Sequence, residues 1–156
     1  MSISNAVKQM VRERAQYLCE YCHSSERLGA NRFTVEHVRP RSLGGSDDLD
    51  NLALACRRCN ERRYNFVAGV DPETQAVVAL FNPRQQQWVE HFVWIEEGIA
   101  IAGITPIGRA TCIRLDLNDT RYPEDDSIRA TRRLWVKTGL HPPASDLQDV
   151  RMDKKL

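Results

Sequence analysis

Apolar residues at Val7, Met10, Val11, Ala15 and Leu18 recur at helical spacing, and Ser4 stands where an N-cap would. The spacing predicts an amphipathic helix from Ser4 to Leu18. At Phe33 the pattern changes: FTVEHV is rich in β-branched and aromatic residues, and Pro40 ends its capacity to pair, so a strand is predicted over Phe33–Val38. Leu49 to Leu54 offers a second short strand, and Arg57 to about Val67 a helix. Farther on, Ala76–Phe81 reads as extended, and Phe92–Ile95 and Ile99–Ile101 as a hairpin about Glu96-Glu97-Gly98. Short helices are predicted over Thr111–Leu117 and Ser127–Thr138, the latter anchored by Ile128, Leu134 and Trp135 and stopped by Gly139. The tail after His141-Pro142-Pro143 is polar and expected to fray.

A chain of 156 residues suits one domain with a real core. With 42% hydrophobic and 28% charged residues the balance is that of an ordinary globular protein. No apolar run approaches the roughly 20 residues a membrane span requires, and the first residues show no leader-like apolar core, so a cytoplasmic protein is expected. Net charge is +1, from 22 basic and 21 acidic residues, so any case for a polyanionic partner rests on local clusters.

Five cysteines is an odd number, and a reducing compartment makes a disulfide framework improbable. Four of the five form two C-x-x-C pairs, Cys19/Cys22 and Cys56/Cys59, which can supply the four sulfurs of a closed tetrahedral zinc site. A redox role for one pair would need a βαβ setting that is not evident here. Cys19 to His23 also spells a haem-attachment string, but that reading leaves the second pair without a purpose. Cys112 is expected as a small core residue.

Between and around these pairs stand Glu36-His37, a Gly44-Gly45 turn, Asp50-Asn51 and, directly after the second pair, Asn60. Taken singly, Glu36 suits a solvated strand carboxylate, His37 a packed imidazole, Asn51 an Asx turn and Asn60 a helix cap. Together they resemble the HNH nuclease family, whose motif sets a carboxylate-His pair, a central Asn and a terminal His or Asn on a strand-strand-helix unit around one metal ion. The resemblance is specific over about a third of the chain. Later strings, LFNPR, WVEHF and GRAT, look like an extension found in stand-alone bacterial HNH proteins.

The fold implied is α+β: a ββα-metal (HNH) motif with a structural zinc knuckle pair in residues 1–68, and a small α+β C-terminal extension over residues 69–156 packed on it in the same compact domain. The activity implied is metal-dependent DNA cleavage. His37 would be the general base and Asn51 would orient it through the backbone of the first strand. Glu36 and Asn60, one carboxylate and one amide oxygen, would hold Mg²⁺ or Mn²⁺. Glu36 stands where many relatives carry Asp, which alters the reach of the ligand.

Arg39, Arg41, Arg57, Arg58, Arg62 and Arg63 flank this site and are candidates for DNA phosphate contacts. Asp47, Asp48 and Asp50 either shape a turn or repel misplaced phosphate. Asn82, Arg84, His91 and Arg109 are expected mainly as structural hydrogen-bond partners, and Arg129, Arg132 and Arg133 form a second basic patch. Two other classes compete with the nuclease: a zinc-stabilised nucleic-acid-binding module without catalysis, and a protein-interaction module using the surface of the second half.

Overall fold

The computed structural model describes residues 2–147. Helix α1 (Asn5–Arg14) is capped as the sequence predicts, with Ser4 Oγ accepting the Val7 N–H at 3.2 Å. It ends four residues before Leu18, because Gln16 and Tyr17 take positive φ angles (53° and 60°) that turn the chain toward Cys19. The apolar face of α1, with Val11 and Ala15, packs on Leu52 and Leu54. The polar side is tied down as well. Arg12 donates to the Phe33 carbonyl at 2.8 Å, and Arg14 to those of Leu49 and Leu52 at 2.9 and 2.6 Å.

Strands β1 (Thr34–His37) and β2 (Leu52–Ala55) pair antiparallel, Thr34 opposite Ala55 and His37 opposite Leu52. β2 starts later than predicted, since Leu49–Asn51 is a 3-10 turn. Helix α2 (Arg57–Arg63) follows at once and packs back on β1. It stops at Tyr64, which has φ 48°, short of the predicted end near Val67, and the chain then enters β3 (Ala68–Val70). β3 pairs with β4 (Val77–Ala79) around a turn held by Asp71, whose carboxylate accepts from Thr74 Oγ1 and the Glu73 N–H. Arg109 grips the same carboxylate with two bonds, 2.8 and 2.9 Å.

In the second half, α3 (Trp88–His91) leads into the expected hairpin, β5 (Phe92–Ile95) with β6 (Ala100–Gly103). Helix α4 (Pro106–Arg114) begins five residues before the predicted Thr111: Thr105 caps it, accepting from the Gly108 N–H, and Pro106 occupies the first turn. Its approach to β6 and α3 is close. A Cβ on Gly103 would lie 2.3 Å from the Arg109 nitrogen, and one on Gly108 2.0 Å from the His91 oxygen. Helix α5 (Ile128–Lys137) has Ser127 as its cap and Ile128 buried as predicted, but Leu134 is not an anchor. Leu134 is 63% exposed, whereas Arg132 is fully buried and donates to the carbonyls of Leu117 and Ile99 and to Asn118 Oδ1.

The polar tail does not fray where it can be followed. His141 is buried with Nε2 2.9 Å from the Gly98 carbonyl, and Asp146 accepts from Trp94 Nε1 at 2.9 Å and meets His23 Nδ1 at 2.8 Å. The remainder of that tail lies outside the described residues. One hydrophobic cluster joins Cys19, Tyr21, Cys22, Cys56 and Cys59 to Leu80, Phe81, Trp88, Phe92, Ile101, Leu115 and Leu117, so the second half closes over the cysteine knuckles. Among the described residues the architecture is α+β, built from helices and three small antiparallel sheets.

Candidate metal centre and histidine site

The turn after α1 places Cys19 and Cys22 on a knuckle in which the His23 N–H bonds to the Cys19 carbonyl and the Cys19 N–H to that of Ser24. Cys56 caps α2, its sulfur accepting the Cys59 N–H at 3.4 Å. The four sulfurs lie within 4.8 Å of one another and all four residues are buried. A tetrahedral site with Zn–S bonds of about 2.3 Å has S···S edges of about 3.8 Å. Cys22 and Cys56 stand 3.8 Å apart. Burial pushes the Cys19 thiol well above its ordinary value, so metal loading must displace protons. The donor set and its closure suit a structural Zn²⁺.

Successive residues of a strand face opposite ways, and β1 uses this to separate its acid from its histidine. Glu36 turns inward, where Arg63 Nη1 lies 3.2 Å from Oε1. Burial, partly offset by Arg63, raises the Glu36 carboxyl to about 7. Arg63 also donates to the carbonyls of His37 and Val38, so the end of α2 is bolted to the end of β1. Beside this pair the buried Tyr21 hydroxyl interacts with the Glu36 carboxyl, while Arg63 Nε finds no hydrogen-bond partner among the described residues.

His37 faces the other way and is partly exposed. Its Nε2 lies 2.7 Å from Asp47 Oδ1, and Arg41 Nε donates to the same oxygen at 2.9 Å. Asn51 fixes the loop between them, since Oδ1 accepts the Arg39 N–H and Nδ2 donates to the carbonyls of Arg39 and Ser46. Its amide thus grips the backbone two residues beyond His37. Asn60 lies on α2 one turn before Arg63, and α2 packs on β1. Asp47, which the sequence offered only as a turn former or a repeller of misplaced phosphate, joins this group because the folded loop brings it to His37 across ten residues.

The family model for HNH endonucleases matches residues 19–66, from the first cysteine ligand to just past α2. That segment is similar to HNH endonucleases. No curated protein and no solved structure gives a significant match. The match spans β1, β2, α2 and both cysteine pairs.

The six arginines that flank the site divide. Arg57 is exposed and pairs with Glu61, Arg39 donates to the Leu43 carbonyl, and Arg41 holds Asp47. Arg58 and Arg62 instead reach into the second half and share Asp119, while Arg63 is buried against Glu36. Asn82, Arg84, His91 and Arg109 make intramolecular hydrogen bonds, His91 Nδ1 meeting Thr105 Oγ1 at 2.6 Å and Arg84 pairing with Glu20. The second basic patch is broken up, with Arg132 buried and Arg133 paired with Glu124. No described helix is long and apolar enough to cross a membrane.

Proposed function

We propose that the protein is a metal-dependent DNA endonuclease that hydrolyses phosphodiester bonds at the HNH unit. The observation that carries this reading is that the matched segment folds as strand, strand and helix, with His37 at the end of β1 and Asn60 on the helix packed against it. His37 takes a proton from water. The resulting hydroxide attacks phosphorus, the P–O bond to the leaving sugar breaks, and the departing oxygen is protonated from solvent. A positioned base contributes about 10² to 10⁴-fold, whereas such hydrolyses need barriers lowered by roughly 8 to 23 kcal/mol. The base therefore needs electrostatic help.

Glu36 and Asn60 would hold Mg²⁺ or Mn²⁺, and such an ion, when bound, supplies charge neutralisation on the phosphate and its leaving oxygen. The residues fit in kind. Both donors are oxygen, suited to a hard cation, and to reach an ion the Glu36 carboxylate would turn from Arg63 and the neighbouring Tyr21 hydroxyl. Arg39, Arg41 and Arg57, on the outer surface, are the arginines placed to meet phosphates. Arg58, Arg62 and Arg63 serve the protein's own interior.

The buried Glu36–Arg63 pair favours a second reading, a zinc-stabilised nucleic-acid-binding module without catalysis, in which Arg63 takes the place of a metal ion. Titration of zinc-loaded protein with Mn²⁺, followed by electron paramagnetic resonance, separates the two. The nuclease reading expects a second, exchangeable site that Glu36→Gln and Asn60→Ala each weaken while zinc content holds; no such site would favour the binding module.

A further inference from the structure

We infer that Asp47 is a positioning residue for the histidine base, fixing the His37 ring and its tautomer so that Nδ1 is the atom that receives the proton. This rests on the reading of His37 as base. A carboxylate accepts hydrogen bonds and donates none. Asp47 Oδ1 lies 2.7 Å from His37 Nε2, so that nitrogen carries the hydrogen and the neutral ring keeps its lone pair on Nδ1. Arg41, ahead of His37, holds the Asp47 carboxyl below its usual range, and the acceptor is therefore an anion at neutral pH.

The loop is built to hold Asp47 there. Asn51 clasps Arg39 through both its N–H and its carbonyl, and donates at 2.8 Å to the carbonyl of Ser46, the residue before Asp47. Gly44 takes φ 83°, a conformation that favours glycine. At Gly45 a Cβ would lie 1.8 Å from the Arg39 carbonyl oxygen, so only glycine lets the two ends of the loop meet. The chain of positioning runs from Asn51 through the Ser46 backbone to Asp47, and from Asp47 to His37.

Asp47 is about half exposed, and surface ion pairs of this kind contribute little to stability. A role in folding and a role in orienting the base thus predict different outcomes. The tautomer is read directly by ¹⁵N NMR of the ring nitrogens of His37 in zinc-loaded protein, whether or not any DNA is cut. The inference expects the Nε2–H form in the wild type and a mixture in Asp47→Ala; a wild-type ring protonated on Nδ1 would overturn it. In single-turnover cleavage, Asp47→Ala is expected to lower kcat at least about 10-fold with KM and melting temperature unchanged, and to have no further effect in the His37→Ala background. Loss of cleavage in His37→Ala together with full cleavage in Asp47→Ala would sink the inference and leave the base standing. Full cleavage in His37→Ala would instead remove the base reading itself.

Discussion

The guanidinium of Arg63, at the end of α2, lies 3.2 Å from the Glu36 carboxylate inside the protein, and both side chains are almost wholly buried. Helix and strand are thereby joined by a charge pair rather than by apolar packing alone. Removing one member of a buried charge pair costs about 3 to 5 kcal/mol, and less where the group left behind, as with a carboxyl already raised to about 7, neutralises by taking a proton. Arg63→Leu also strips a donor from the carbonyls of His37 and Val38. We expect its unfolding free energy, read from urea titration, to fall by up to that amount, and a double variant with Glu36→Leu to recover part of the loss. A single variant as stable as wild type would mean that the pair contributes nothing.

Metal removal is expected to be more severe. The four cysteines are part of the hydrophobic cluster that binds the two halves together. Structural zinc contributes on the order of 10 to 16 kcal/mol in small peptides, comparable with the whole stability of an average domain, roughly 5 to 15 kcal/mol. Chelation should abolish the cooperative melt, and Cys56→Ser should reduce zinc content together with stability. A full cooperative melt in protein shown to be zinc-free would contradict this.

Acid should act through Asp71. Its two bonds from Arg109, with help from Thr74 and the Glu73 N–H, hold its carboxyl well below the ordinary 3.8. With a folded pKa below the unfolded one, the contribution is fully present above the unfolded value and is lost as pH falls through the folded value. Stability should therefore decline as pH drops below about 4. Asp71→Asn should be less stable than wild type at pH 7 and lose less on acidification; parallel pH profiles would rule Asp71 out.

Much of this was legible in the chain. Ser4 announced α1, Phe33–Val38 announced β1, and the two C-x-x-C pairs announced the metal centre, because cap chemistry, β-branched runs and ligand spacing are local signals. What was missed depends on distance. The positive φ at Gln16, Tyr17 and Tyr64 shortened two helices that periodicity alone would extend. Arg132, read as part of an exposed basic patch, proved to be a buried donor, since the carbonyls it satisfies come from Ile99 and Leu117. Asp146, in a tail that looked free to fray, closes on His23 and Trp94. At the candidate site, Glu36, His37, Asn51 and Asn60 were all visible in sequence. The opposite facing of Glu36 and His37, and the meeting of His37 with Asp47, required the fold.

The most direct test of the account is incubation of zinc-loaded protein with supercoiled plasmid and with single-stranded DNA, in Mg²⁺, Mn²⁺ or EDTA, beside His37→Ala. We expect cleavage that requires the divalent ion and falls at least about 10²-fold in the folded, zinc-containing variant. Cleavage by that variant at the wild-type rate would contradict the central claim, as would salt-sensitive DNA binding by the wild type without cleavage in any metal.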